Sequence, residues 1–205
     1  MAEVDQAVTH HPSITAPPPG GKAKPPTISA IAWARLGAVE IRAPRPDDAE
    51  AIARNHQRAW QIGYRGLIAD ELLDGLDLQH RIDRWHRALA DPTMTVRVVD
   101  DGGGVRGHVT VGAATRTGTT DGEILSLYID PDHWGHGYGR ALLHAGRQLL
   151  TEQGYERLGL WMVEGNARAL ALYERDGWAL EGPREPFVLN GVDYGTHEIK
   201  LHRPG

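Results

Sequence analysis

Three glycines at alternate positions, Gly135, Gly137 and Gly139, constrain this chain more than any other feature, because of what flanks them. Before them, Glu123 to Ile129 reads as a strand. Simple alternation puts Glu123, Leu125, Leu127 and Ile129 on one face and Ile124, Ser126 and Tyr128 on the other. Asp130-Pro131-Asp132 ends that strand, since Pro131 has no N–H to give to a ladder. After the glycines a helix starts at once. Leu142, Ala145 and Leu149 recur at helical spacing beside Leu143, Gly146 and Leu150, and Gly154 is placed to stop it.

A strand, a glycine turn and a helix together make a device for holding an anion. The first N–H groups of a helix lack intrahelical partners and lie at its positive end. Glycines permit unusual φ values and let a phosphate come close to the backbone. The segment from Gly135 to Arg140 is therefore expected to hold a pyrophosphate, with His136 and Arg140 adding positive charge. No Gly-Lys-Ser/Thr follows, which excludes a P-loop. The spacing is not that of the dinucleotide-binding fingerprint.

The motif Leu127-Tyr128-Ile129-Asp130-Pro131, followed by Gly135-His136-Gly137-Tyr138-Gly139-Arg140-Ala141-Leu142-Leu143, resembles the acyl-CoA-binding motif of the GNAT N-acetyltransferase superfamily. The run from Asn166 to Trp178, with Leu172-Tyr173-Glu174 inside it, is similar to that family's second motif. The resemblance covers roughly Val39 to the C-terminus. One position departs from the pattern: Trp134 stands where the family usually has Gln or Arg.

The resemblance implies an α/β fold with a GNAT-like mixed, largely antiparallel sheet of six or seven strands. Helices would cover both faces, and a central parallel strand pair would splay apart. It implies acetyl-CoA as co-substrate, with its pantetheine arm entering between the strands of Leu127 and Leu160. Leu127, Tyr128, Ile129, Gly135, His136, Gly137, Tyr138, Gly139, Arg140 and Asn166 become the cofactor-binding residues, and the Ile129 amide the oxyanion donor. Tyr173 becomes the acid that protonates the departing thiolate. Glu123, at the start of the central strand, is the leading base, acting directly or through water. Its alternative is a plain acid at a strand start. A carboxylate that some relatives carry on the next strand is replaced here by Trp161.

The remaining chain fits that frame. Residues 1–36 are expected to be a flexible tail, because Ala16 to Pro26 holds five prolines and no large apolar residue. An N-acetyltransferase domain would fill 37–205. Val39 to Arg42 reads as a first strand, and Pro46-Asp47-Asp48 opens a helix with Ala49, Ile52, Ala53, His56, Ala59 and Trp60 on one stripe. Further helices are expected over Asp70 to Leu76 and Gln79 to Leu89. In the resembled family the region between the first two strands shapes the acceptor pocket, which makes Trp60, Tyr64 and Arg65, ahead of these two helices, candidates for it, while Trp85 reads as core. Thr93 to Val99 and Val105 to Ala113 form a hairpin across Asp101-Gly102-Gly103-Gly104. A turn follows at Thr117 to Gly122. Leu158 to Val163 is a strand parallel to the first motif's strand. Asn166 caps a helix ended by Gly177, and strands follow at Trp178 to Leu180, Phe187 to Leu189 and Val192 to Leu201.

Composition limits the chemistry. The chain has 205 residues, a formal net charge of −5 and no cysteine. The charge argues against a nucleic-acid partner. The absent cysteine removes thiolate catalysis, so transfer must be direct, and suits a cytoplasmic location. No signal peptide and no membrane-spanning run are seen. His133 and His136 lie near Asp130 and Asp132, but no metal motif supports a metal there. The expected function is acetylation of a primary amine on a small molecule or peptide. Aminoglycosides, polyamines, amino acids, protein N-termini and lysines all stay open as acceptors, as does a homodimer. The alternative is a non-catalytic acyl-CoA-binding regulatory module, which would need neither Tyr173 nor Glu123.

Overall fold

A computed structural model describes residues 39–116 and 121–201. The proline-rich tail assigned to 1–36 and most of the turn expected at Thr117 to Gly122 lie outside those residues. The first described elements are strand β1 (Glu40–Arg42), helix α1 (Ala49–Gly63), a short helix α2 (Asp70–Asp74) and helix α3 (Leu78–Ala90). Strands β2 (Thr95–Asp100), β3 (Val105–Ala113) and β4 (Gly122–Ile129) follow, then α4 (Tyr138–Glu152), β5 (Leu158–Val163) and α5 (Ala167–Glu174). The chain finishes with β6 (Trp178–Glu185), β7 (Val188–Leu189), β8 (Val192–Asp193) and β9 (Thr196–Leu201).

Among the described residues seven strands form one sheet in the order β1-β2-β3-β4-β5-β9-β6, with β7 and β8 paired apart. All pairings in the large sheet are antiparallel except β4 with β5. That parallel pairing lasts only for Gly122 with Leu158, Glu123 with Gly159 and Ile124 with Leu160. Beyond Ile124 the two strands part, while β4 stays paired with β3 to Ile129. The mixed sheet with a splayed central pair is as expected.

Helices cover both faces, and cross-strand neighbours show which residue faces which helix. Val109, Val111 and Ile124 lie beneath Gly146 of α4, where a Cβ would sit 3.0 Å from the Val109 side chain. Gly146 thus lets α4 settle closely on the sheet. On the opposite face His108 and Tyr128 meet His56 of α1. The whole stripe predicted on α1, from Ala49 to Trp60, is buried. Trp85 is half-buried against the core formed by Ile52, Val98 and Val105, as its own helical stripe predicts.

Two sequence expectations need correction. First, the faces of β4 are not a simple alternation. Thr110 pairs with Ser126, but Val111 pairs with Ile124, so Leu125 is an extra residue in a bulge. Directly paired residues share a face. Ile124 therefore lies with Leu127, across from Val111 and Val109, while Glu123 shares the α1 face with Ser126 and Tyr128. Second, the strand expected over Val192 to Leu201 is two strands. Asp193 Oδ1 accepts from the backbone N–H groups of Phe187 and Gly195, which turns the chain between β8 and β9. No helix among the described residues is long and apolar enough to cross a membrane.

Candidate functional site

The parting of β4 and β5 exposes backbone. Asp130 N–H donates to Arg106 O at the end of the β3–β4 ladder. In an antiparallel pair, residues turned toward the partner strand alternate with residues turned away from it. Leu127 and Ile129 thus direct their N–H groups away from β3, into the gap left by β5. The Ile129 carbonyl is already used, accepting from Trp134 Nε1 at 3.0 Å. Free backbone donors in a cleft need a partner, so this strand edge can meet the acceptor groups of a bound ligand.

The gap opens into a cavity of about 760 Å³. Of the residues read as cofactor-binding, Leu127, Tyr128, Ile129, Gly135, Gly137, Tyr138, Gly139, Arg140 and Asn166 all line it, and so does Tyr173. His136 does not line it; its ring nitrogen Nδ1 lies 3.2 Å from the Trp134 carbonyl, exposed on the turn.

The three glycines do different work. Gly135 and Gly137 both have φ of 84°, a left-handed conformation that costs other residues energy, and Gly137 is the N-cap of α4. Gly139 has ordinary backbone, but a Cβ there would lie 3.3 Å from Leu172 of α5, so it keeps the two helices close. Ala141 N–H donates to Gly137 O as the first helical bond. The N–H groups of Tyr138, Gly139 and Arg140 stay open at the positive end of α4. Arg140 is not a free cation: its Nε donates to Asp176 Oδ1 at 2.8 Å, and His144 Nε2 lies 3.1 Å from the same oxygen.

At the other end three tyrosines converge. Tyr173 is 8% exposed, and burial first, then Tyr128 beside it, push its hydroxyl well above the usual phenol range. Tyr64 is raised for the same reasons, and its hydroxyl hydrogen-bonds with Tyr128 and Asn166. Tyr128 is raised by burial. All three therefore stay protonated, as hydrogen-bond donors, at any physiological pH. Asn166 caps α5, its Oδ1 accepting from Ala169 N–H at 3.1 Å.

The other predicted site residues are placed elsewhere. Glu123 does not line the cavity. It is 6% exposed, and one oxygen of its carboxylate accepts from the Thr115 N–H at 2.8 Å and the Thr115 hydroxyl at 2.9 Å. Burial raises its pKa, the Thr115 hydrogen bonds and Arg116 oppose this, and the charge of Glu198 adds to it. Trp60, read as an acceptor-pocket residue, is 2% exposed in a core with Ile68, Leu73 and Leu189. Arg65, read likewise, lies on the surface and forms ion pairs with Asp70 and Asp74. Only Tyr64 of those three reaches the cavity.

The structure brings further residues to the cavity. Trp134 and Arg168 line it, with the Arg168 guanidinium carbon 3.9 Å from the Trp134 ring centre. Trp161 lines the opposite wall, with Arg116 stacked on it at 4.3 Å. No metal-holding cluster of three acids or histidines occurs among the described residues.

Comparison with known proteins matches this geometry to a family. The model of the acetyltransferase (GNAT) family matches residues 51–178. An uncharacterized N-acetyltransferase of Bacillus subtilis, YuaI, is 26% identical over 129 residues, covering 62% of this chain and 73% of that protein. A mycothiol acetyltransferase of Propionibacterium freudenreichii is 36% identical over 138 residues, 66% of this chain but only 41% of the relative. Among solved structures, the PaiA N-acetyltransferase of Thermoplasma acidophilum in complex with coenzyme A aligns with a TM-score of 0.62 at 16% identity, over 80% of this chain and 99% of that one. YncA of Salmonella typhimurium with its cofactor acetyl-CoA aligns with a TM-score of 0.59 at 23% identity, over 80% and 94%.

Proposed function

Since the chain belongs to the GNAT acetyltransferase family, we propose that it transfers an acetyl group from acetyl-CoA directly to a primary amine of a small molecule or peptide. The observation that carries this reading is the cavity opened where β5 leaves β4 beyond Ile124. It runs from the free N–H groups of α4, past the free N–H groups of Leu127 and Ile129, to the Tyr173 hydroxyl. Pyrophosphate on the α4 amides, pantetheine along the β4 edge and thioester near Tyr173 fill it in that order.

Chemistry follows from that placement. The neutral amine attacks the thioester carbonyl, and the resulting oxyanion accepts a hydrogen bond from the Ile129 N–H. The C–S bond breaks as the Tyr173 hydroxyl gives its proton to the departing sulfur, and solvent restores that proton. Glu123 removes the ammonium proton through water, since its carboxylate shares the α1 face with Ser126, a cavity residue. Its raised pKa makes it a better base than an ordinary glutamate. The similarity to mycothiol acetyltransferases puts small-molecule amines first in the acceptor screen.

Calorimetric titration with acetyl-CoA, NADH and ATP tests the cofactor. Selective acetyl-CoA binding is expected, and a preference for either nucleotide would overturn the reading. A thiol-release screen across amines then tests transfer, free of background because the chain has no cysteine. Binding without turnover on any amine would favour a regulatory acyl-CoA module.

A further inference from the structure

Part of the positive charge that the sequence puts at the N-terminus of α4 is already engaged. Arg140 gives its Nε to Asp176, whose side chain is 3% exposed, which links α4 to the end of α5. Position 134 holds an indole whose N–H is committed to the Ile129 carbonyl. Two cations line the cavity without an acid partner among the described residues, Arg168 on the first turn of α5 and Arg175 just past its end, and Arg168 is the one stacked on an indole ring.

Arg168 is also held in place. Its guanidinium carbon lies 3.9 Å above the centre of the Trp134 ring. A cation over an indole face is attracted by the ring quadrupole, and a guanidinium so stacked keeps its N–H donors free around its edge. The ring itself is fixed by its bond to Ile129, and it packs beside Gly63, where a Cβ would lie 3.7 Å from the indole edge. The chain of support runs from the end of β4 through Trp134 to Arg168.

We propose that Arg168, shelved on Trp134, is a cofactor-binding residue that hydrogen-bonds a phosphate of acetyl-CoA, adding its charge to that of Arg140. The inference rests on the acetyl-CoA reading above. A planar fork of donors suits a phosphate oxyanion better than a point charge does. Prior stacking means that less side-chain freedom is lost when the phosphate arrives.

The test is calorimetric affinity for three ligands: acetyl-CoA, its form lacking the 3′-phosphate, and S-acetylpantetheine, which carries no phosphate. The Arg168→Gln variant alters an exposed side chain, and its circular dichroism should match that of the unaltered protein. It should bind acetyl-CoA roughly tenfold more weakly, the scale of a lost hydrogen bond to a charged group. Its affinity for acetylpantetheine should not change. Trp134→Leu should weaken acetyl-CoA binding in the same direction, and adding Arg168→Gln to it should cost less than it does alone. If the loss persists without the 3′-phosphate, the contact is to the pyrophosphate; if it vanishes, the contact is to the 3′-phosphate; either supports the proposal. Undiminished acetyl-CoA binding by Arg168→Gln, or an equal loss on acetylpantetheine, overturns it. Failure of the unaltered protein to bind acetyl-CoA would instead overturn the functional reading, and this inference with it.

Discussion

Lowering the pH should unfold this protein through two histidines behind the wall of the cavity. His108 of β3 is fully buried, and neither ring nitrogen has a hydrogen-bond partner. Burial pushes its pKa down to about 3. His56 of α1 lies 5.5 Å away, centre to centre, with Nε2 also unpaired. Its pKa is lowered by burial first, then by the charges of Arg81, His108 and Arg84. Trp85 packs its edge on His108, and Tyr128 of the cavity wall stacks on His56 at 4.2 Å. Nothing in that setting welcomes a proton.

The sign follows from linkage. In the unfolded chain a histidine titrates near 6.5, whereas folded His108 stays neutral down to about 3. The unfolded state therefore binds more protons throughout that window. Stability is complete above about 6.5 and falls as the pH drops toward 3. At pH 5 the gap is about 1.5 pK units, which at about 1.36 kcal/mol per unit costs about 2 kcal/mol for His108 alone. His56 adds a loss of the same sign. Urea unfolding at pH 7.5 and pH 5 measures this in the unaltered protein and in His108→Gln, which cannot titrate. The variant should be weaker at pH 7.5, because a buried amide replaces the ring. Its further loss on acidification should nevertheless be smaller by about 2 kcal/mol, or about 1 M in urea midpoint. Equal acid losses in the two proteins would refute the assignment.

Three further outcomes test the site. Tyr173→Phe should lower kcat by about a hundredfold, the lower end for a lost general acid, with KM for acetyl-CoA nearly unchanged; steady-state kinetics would show it, and unaltered turnover would remove the acid role. Gly137→Val should abolish acetyl-CoA binding in calorimetry, since φ at that N-cap is 84° and the strain would distort the cradle. Glu123→Gln should depress kcat and remove the acidic limb of its pH profile. In the unaltered enzyme the rate should fall as pH drops through the raised Glu123 pKa, because the base must be ionised. A limb that survives the substitution belongs to another group.

What the sequence disclosed depended on whether a feature was local. The cradle was legible because glycine spacing between a strand and a helix needs no tertiary information, and Asn166 was legible as a cap for the same reason. The bulge at Leu125 was not. Ile124, Leu125, Leu127 and Ile129 are all apolar, so the pattern fits either register, and a slip of one residue exchanges the faces. The choice falls to pairing with β3, and it moves Glu123 onto the α1 face. Trp60 was read as a pocket wall because it lies in the region that shapes the acceptor pocket in the resembled family. Leu189, from the far end of the chain, completes a core around it instead. The same limit hid the pairing of His56 with His108 and of Trp134 with Arg168, whose members meet only after the sheet and helices have assembled.

The residues most directly engaged with the cofactor in the proposed mechanism act through groups that no side chain encodes. Leu127 and Ile129 contribute N–H groups, and any apolar residue could stand at either position without altering them. What distinguishes these amides is that β5 pairs with β4 only as far as Ile124 and then leaves. A fully paired strand would have spent them on a neighbour. Exposed backbone in a buried cleft is costly without a ligand, so the splay trades stability for a binding edge. Part of that loss is recovered locally: the Ile129 carbonyl is taken by Trp134. The same indole then carries Arg168. The side chain that quiets the unused acceptor at the end of β4 is thus the one that holds Arg168, and in the proposed reading a single residue couples the strand edge to the anion site.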